Sequence, residues 1–270
     1  MKLRLKTLMK IHLFYIMTID FLKSGGDYRG NILFFKSKNI RMNIFETKKG
    51  YARGGHFHQY PVTYILLSGK IEYRVKSLDN DHEIIKILTG PTIINLPINT
   101  ANLIIAIEDS IFLEMFDNDY SSKIFDEYRS YVIKKNQSQN IDKLCSNLFI
   151  KNEFIDSRGK IFFCKFNKIN LNLIETKKGY ARGGHFHEFE SDHIILFGKI
   201  KYLENNPSNN TELIKVLNVP EIIKTRPNFP HLFVTLEDSC FIEIFKGEYS
   251  ATFFEEYRKI VNDKMKTQLK

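Results

Sequence analysis

Residues Glu46–His58 read ETKKGYARGGHFH, and residues Glu175–His187 read ETKKGYARGGHFH again. Thirteen residues do not recur unchanged by chance, so the chain is an internal duplication at an offset of 129 residues. Each copy of the segment holds two histidines one residue apart, an arginine three residues before the first of them, and three glycines. Side chains alternate faces along a β-strand. A His-x-His pair therefore puts both imidazoles on one face, with Phe57 or Phe186 on the other. Two imidazoles facing one interior can bind a metal or transfer protons near neutral pH.

The repeat extends outward without a gap from Asp27 to Arg129. DYRGNILFF (27–35) faces DSRGKIFFC (156–164), EIIKIL (83–88) faces ELIKVL (212–217), and EDSIFLEMF (108–116) faces EDSCFIEIF (237–245). Within each copy the apolar period is mostly two. ILFFK, YILLSGKIEYRV, HEIIKIL, TIINL, LIIAIED and SIFLEMF are short β-rich runs separated by turn residues. Many short strands at close spacing predict an antiparallel sandwich or barrel. The end of each copy, IFDEYRSYVIKK and FFEEYRKIVNDK, predicts a helix with apolar residues at i, i+3, i+4 and i+7. We expect an N-terminal domain over 1–135, a polar linker over 136–147 (NQSQNIDKLCSN) and a C-terminal domain over 148–270.

Composition narrows the function classes. Hydrophobic residues make up 43% and charged residues 26%, as in globular domains. The net charge of +9 fits a Lys-rich surface or a field that draws in an anionic ligand. No zinc-finger spacing, helix-turn-helix pattern or aromatic-flanked basic stripe points to nucleic acid. GxGxxG and Walker loops are absent. Three cysteines, Cys145, Cys164 and Cys240, form no CxxC motif. An odd count fits a reducing compartment, so a cytoplasmic location is expected, with Cys164 and Cys240 as core residues. The apolar run IHLFYIMTI, within residues 1–22, is too short to span a bilayer and is expected to be a leading strand or helix. No membrane partner is expected.

Gly50-(x)5-His56-x-His58, followed by Gly69, and Gly179-(x)5-His185-x-His187, followed by Gly198, resemble the first motif of the cupin superfamily. RPNFPH (226–231) is similar to that family's second motif. The resemblance implies an all-β fold: a tandem duplication of the cupin jelly-roll β-barrel, a bicupin, each copy here ending in its helix. It also implies a metal set of His185, His187 and His231 with an acid near Glu190 or Asp192, at a spacing one residue short of the usual. Copy one has Asn102, Pro61 and Thr63 at the positions facing His231, Glu190 and Asp192, and keeps only His56 and His58.

Asp-x-Arg-Gly (Asp27, Arg29, Gly30; Asp156, Arg158, Gly159) together with Arg-Gly-x-His-x-His (Arg53 to His58; Arg182 to His187) is similar to a narrower group. These are the sugar-nucleotide cupins, the dTDP-4-oxo-6-deoxyhexose 3,4-ketoisomerases (WxcM-like) and, further off, the 3,5-epimerases. That resemblance implies an isomerase or epimerase of deoxysugar biosynthesis that needs no cofactor. His56, His58, His185 and His187 would be the acid–base catalysts. Arg29, Arg53, Arg158 and Arg182, with Tyr51 and Tyr180, would contact a nucleotide-diphosphate sugar. The group's Gln or Glu near the fifth position after the second His is Thr63 or Asp192 here. Plainer alternatives stand beside these roles: turn residues for Arg29 and Arg158, packing for Tyr51 and Tyr180, and a structural or surface place for His193. Three functions stay open: this isomerase, a metal-dependent bicupin enzyme with one divalent metal in the C-terminal barrel only, and a non-enzymatic sugar- or metabolite-binding bicupin. A homodimer is also left open.

Overall fold

The computed structural model describes residues 18–117, 119–139 and 147–268. Copy one runs β1 (Ile19–Asp27), β2 (Gly30–Ser37), β3 (Ile40–Thr47), β4 (Ala52–Phe57), β5 (Val62–Ser68), β6 (Lys70–Ser77), β7 (Glu83–Thr89), β8 (Thr92–Leu96), β9 (Thr100–Ala106), β10 (Ser110–Phe116), β11 (Lys123–Ile124) and helix α1 (Asp126–Gln137). Copy two repeats the order as β12 (Leu148–Asp156), β13 (Gly159–Phe166), β14 (Ile169–Thr176), β15 (Ala181–Phe186), β16 (Ser191–Phe197), β17 (Ile200–Asn206), β18 (Thr211–Leu217), β19 (Glu221–Thr225), β20 (His231–Thr235), β21 (Ser239–Lys246), β22 (Thr252–Phe253) and α2 (Glu255–Gln268).

Each copy folds into two antiparallel sheets, β1-β2-β3-β10-β5-β8 against β11-β4-β9-β6-β7, and their counterparts in copy two. The fold is all-β, a jelly-roll barrel present twice, each copy closed by a helix. The run YILLSGKIEYRV is two strands, β5 and β6, broken at Gly69. Among the described residues, no helix is long and apolar enough to cross a membrane.

The repeated segment has a local reason for its glycines. The pairing of β4 with β9 slips between Gly54 and His56, which marks a β-bulge. Gly54 and Gly55 sit at φ +96° and +78°, where a side chain is strained. A Cβ on Gly54 would lie 2.4 Å from the Asn102 carbonyl oxygen, and one on Gly55 would lie 2.7 Å from Arg129 Cα in α1. The helix rests directly on the bulge, and Phe125 N–H donates to Gly55 O at 3.1 Å. Copy two repeats this, with Phe254 N–H donating to Gly184 O at 3.1 Å. Tyr128 and Val132 of α1 pack on Ala52, Leu103 and Ile105, and Tyr257 and Val261 of α2 pack on Ala181, Leu203 and Leu232.

The two copies share one core. A single apolar cluster contains Ile19, Leu33, Phe35, Met42 and Ile44 of copy one with Leu148, Phe162, Leu171, Leu173 and Ile242 of copy two. The Phe35 and Phe162 rings meet with centroids 5.2 Å apart. Buried Glu175 accepts the Ile19 N–H at 2.7 Å, and Glu46 accepts the Asn147 N–H at 3.3 Å. Thus the first residue of each thirteen-residue segment holds the strand that opens the other copy.

Three expectations need correction or placing. The polar stretch 136–147 is not linker from its start: α1 continues to Gln137, and Asn136 is buried, accepting from Ala52 N–H at 2.8 Å and donating to Ala52 O at 3.0 Å. The leading element expected in 1–22 lies outside the described residues up to position 17, and β1 begins at Ile19. Cys164 and Cys240 are buried and free, and Cys145 lies outside the described residues.

A shared core means shared unfolding. Phe35→Ala removes a ring buried between the copies and should cost about 3–5 kcal/mol. Calorimetry should show one heat-unfolding transition, moved down in temperature as a unit. Two resolved transitions, with only the N-terminal one displaced, would contradict the shared core.

Candidate functional site

In copy two, strand β15 carries His185, and His187 follows directly after it, with ring centroids 4.6 Å apart. Strand β20 opens with His231, which pairs with His185 in register and brings its ring to 5.0 Å. The ligand-capable atoms of His185, His187 and His231 all lie within 4.8 Å of one another. Two further groups face this cluster that sequence reasoning did not place there. His193 on β16, expected as structural or surface, is 2% exposed, with its ring 5.6 Å from His231. Glu243 on β21 is buried, and its Oε1 lies 3.7 Å from Nε2 of both His187 and His193.

Glu243 is thus the acid at the cluster, in place of the two expected. Glu190 is exposed and ion-paired to Lys224 at 2.9 Å. Asp192 neighbours His193 along β16, so the pleat turns it to the opposite face. SCFIEIF (239–245) is buried throughout, and no spacing within it marked Glu243 as a neighbour of the histidines.

Hydrogen bonds set the imidazole tautomers. His187 Nδ1 lies 2.6 Å from Ser250 O and His231 Nδ1 lies 3.3 Å from Phe229 O. A carbonyl only accepts, so each Nδ1 carries the proton and each Nε2 keeps its lone pair. The His187 Nε2 is buried without a hydrogen-bond partner. Burial and neighbouring imidazoles keep the rings neutral. His185 is pushed down to about 2 by burial, His231 and His187, and His231 to about 4 by burial and His187. His193 is lowered for the same reasons. Burial pushes the Glu243 carboxyl up to about 7.

The cluster borders a cavity of about 850 Å³ whose wall includes Arg158, Arg182, Arg258, His185, His193 and Glu243. Arg258, in helix α2, is a further missed residue. Arg182 is 6% exposed, and its guanidinium donates to Glu175 O at 3.2 Å and Thr176 Oγ1 at 3.1 Å. Arg158 pairs with Asp156 at 2.6 Å. Both border the cavity, yet Arg182 also holds the backbone of its own copy and Arg158 is paired to a carboxylate. Tyr180 is buried and is not among the cavity's lining residues.

Copy one keeps the pair and changes its surroundings. His56 and His58 have ring centroids 5.0 Å apart, and His58 Nδ1 lies 2.7 Å from Ser121 O. His56 is pushed down to about 4 by burial and by His58. Glu114 replaces Glu243 and joins His56 and His58 in a second compact group. However, the Tyr64 hydroxyl donates to one Glu114 oxygen at 2.9 Å and Asn43 Nδ2 to the other at 2.8 Å. Tyr64 stands where copy two has His193, and Phe45, stacked on Phe112 at 5.2 Å, stands where it has Ile174. Arg53 donates to Glu46 O at 2.7 Å and Gly30 O at 3.2 Å, Arg29 is held by Asp27 at 2.5 Å, and buried Tyr51 packs on Tyr28 at 5.6 Å.

No family model and no curated protein matches this sequence. Among solved structures, the chain is similar to Bacillus subtilis oxalate decarboxylase, at 14% identity over 89% of this chain and 80% of that one, with a TM-score of 0.41. It is likewise similar to a formate complex of Lactobacillus farciminis oxalate decarboxylase, at 13% identity over 91% of this chain and 92% of that one, with a TM-score of 0.40. Likeness at this level carries no argument about activity.

The buried neutral rings fix the sign of an acid response in metal-free protein. Between about pH 6.5 and 4 the unfolded chain takes up protons that folded His56 and His231 refuse. Stability therefore falls as pH is lowered through that window. Glu243 acts oppositely: its folded carboxyl keeps a proton up to about pH 7, so its contribution is present in acid and lost as pH rises from 4.5. Urea midpoints measured from pH 4 to 8 should show a shallower acid limb in His231→Asn. An acid limb unchanged in that variant would contradict the assignment.

Proposed function

We propose that the C-terminal barrel is the catalytic half of this protein, with His185, His187 and His231 holding a divalent transition metal and Glu243 beside them. The observation that carries this reading is the His187 Nε2. Its ring proton is committed to Ser250 O, its lone pair is buried without a partner, and it faces Glu243 Oε1 at 3.7 Å. With Glu243 ionised, two electron-pair donors face each other there, an arrangement that a metal cation satisfies. Ligating histidines usually donate their other ring N–H to a carbonyl or carboxylate, and both His187 and His231 do. Three imidazoles and a carboxylate suit Mn, Fe, Ni or Zn. Such a metal supplies Lewis acidity toward a substrate oxygen.

The chain's own residues supply the rest. Arg158, Arg182 and Arg258 give the cavity a cationic wall, which favours an anionic substrate. Phe163, Phe233 and Tyr249 line it with apolar surface that limits water. A small or medium anionic molecule bearing a carbonyl or carboxylate fits that lining.

A second reading rests on a separate observation. His58 and His187 are anchored in the same way in both copies, on Ser121 O and Ser250 O, although only copy two has the third histidine. A neutral imidazole with a free Nε2 is also a general base. In this reading His185 or His187 moves the proton alpha to the keto group of a nucleotide-linked deoxysugar, as the sugar-nucleotide cupins imply. Arg158 and Arg182 face its diphosphate.

Elemental analysis of the purified protein, and again after EDTA treatment and re-addition of Mn, Fe, Ni or Zn, should find one ion per chain. Loading should raise the melting temperature, because a ligand that binds only the native state stabilises it. His231→Asn, which copies the residue of copy one, should lose the ion. No uptake of any of these metals would overturn the metal reading. Solvent deuterium incorporation into a dTDP-4-keto-sugar by EDTA-treated protein, lost in His187→Ala, would establish the isomerase in its place. Absence of that exchange would sink the second reading.

A further inference from the structure

A second cavity, of about 370 Å³, lies in copy one between strands β6, β7 and β8. Its wall is mostly apolar, with Val75, Ile84, Leu88, Ile93 and Leu96, and carries two polar groups of note, Tyr73 and Lys86. None of its lining residues belongs to the His56, His58 and Glu114 group. Tyr73 is 5% exposed, and its hydroxyl meets no hydrogen-bond partner among the described residues. A buried hydroxyl without a partner costs free energy on the order of 1–3 kcal/mol, so such groups are uncommon and point to something that completes them. Tyr73 and Lys86 are direct cross-strand neighbours, so both project from one face into the same space.

Copy two shows what the missing partners are. There Tyr202 and Lys215 occupy the same register positions. The Tyr202 hydroxyl donates to the Glu204 carboxylate at 2.8 Å, and Arg226 closes on the other oxygen of Glu204 at 2.5 Å. Lys215 is ion-paired to Glu221. In copy one, the three residues that supply these charges are replaced: Val75 for Glu204, Pro97 for Arg226 and Thr92 for Glu221. All three replacements line the cavity. Copy one therefore has the hydroxyl and the ammonium without either of the carboxylates that satisfy them in copy two. Lys86 makes no ion pair among the described residues. Space, an apolar wall and two unpaired donors are left.

We propose that this cavity is a binding site for a small apolar carboxylate, an aliphatic or aromatic acid, distinct from the histidine sites. Its hydrocarbon body packs on Val75, Ile84, Leu88, Ile94 and Leu96. Its carboxylate accepts from the Tyr73 hydroxyl and pairs with Lys86, standing in for Glu204 and Glu221. The volume is at the low end of the roughly 300–1,000 Å³ of ligand pockets, which limits the ligand to a short chain or one ring. The inference is independent of whether copy two holds a metal.

Calorimetric titration of the full chain with hexanoate and phenylacetate tests this, with hexanamide and phenylacetamide as neutral matches. At least one acid should bind once per chain with a dissociation constant below about 10 mM, and its amide should bind about tenfold more weakly or worse. Tyr73→Phe and Lys86→Gln should each weaken the acid by about tenfold. Val75→Glu combined with Pro97→Arg, which installs the internal pair of copy two, should abolish binding while the variant melts cooperatively. His231→Asn should leave binding unchanged. The proposal is overturned if neither acid binds, if acid and amide bind equally, if the Val75→Glu/Pro97→Arg variant still binds, or if His231→Asn removes binding.

Discussion

A buried guanidinium ties each copy's repeated segment to the rest of its barrel. Arg53 donates to Glu46 O and Gly30 O and to Thr47 Oγ1, so one side chain holds β2, β3 and β4 together. Arg182 ties β15 to β14 through Glu175 O and Thr176 Oγ1. Burial lowers both arginines only to about 10, so they stay charged at neutral pH. Removing such a group leaves several buried carbonyls without donors, each a desolvation cost. The two glycines that follow make the bulge on which the helix rests, and the bulge aims the histidines inward. The glutamate, threonine, arginine and two adjacent glycines of the identical segment thus each have a structural task, the glutamate toward the opposite copy.

On this common frame the copies have exchanged interior chemistry. At the position of Tyr64 and His193, copy one closes its acid with a hydroxyl, while copy two presents an imidazole. At the position of Asn102 and His231, copy two adds a third ligand-capable ring. At Val75 and Glu204 the direction reverses, and copy one loses a charge that copy two keeps. Backbone geometry is shared, so these differences act through side-chain volume and hydrogen bonding alone. One duplicated barrel thereby offers two different cavities, one lined by imidazole and arginine, the other by hydrocarbon with a hydroxyl and an ammonium.

Much of the fold was legible in the sequence, because strand alternation and the two helices leave periodic traces. The repeat made the duplication unmistakable, and each His-x-His pair, His56 with His58 and His185 with His187, shares one interior as spacing implied, with His231 beside the second pair as the family resemblance implied. What was not legible depends on non-local pairing. Glu243 is brought to the cluster by β21 crossing between β14 and β16, a neighbourhood that no local spacing encodes. His193 looked dispensable because its face depends on register, and a one-residue difference in register reverses faces. That the Arg53 and Arg182 guanidinium groups also bond within their own barrels was not legible, because an arginine beside histidines carries no mark of it. Asn136 lay in a polar stretch, yet its amide serves the Ala52 backbone inside copy one.

The central claim is a division of labour, with metal chemistry confined to the C-terminal barrel. Anomalous diffraction at the absorption edge of the metal taken up by crystals of the protein tests it most directly. The account expects one strong peak per chain, bounded by His185, His187 and His231, and none between His56, His58 and Glu114. A peak of equal height in both barrels, or no peak at either cluster after soaking in Mn, Fe, Ni and Zn, would contradict it.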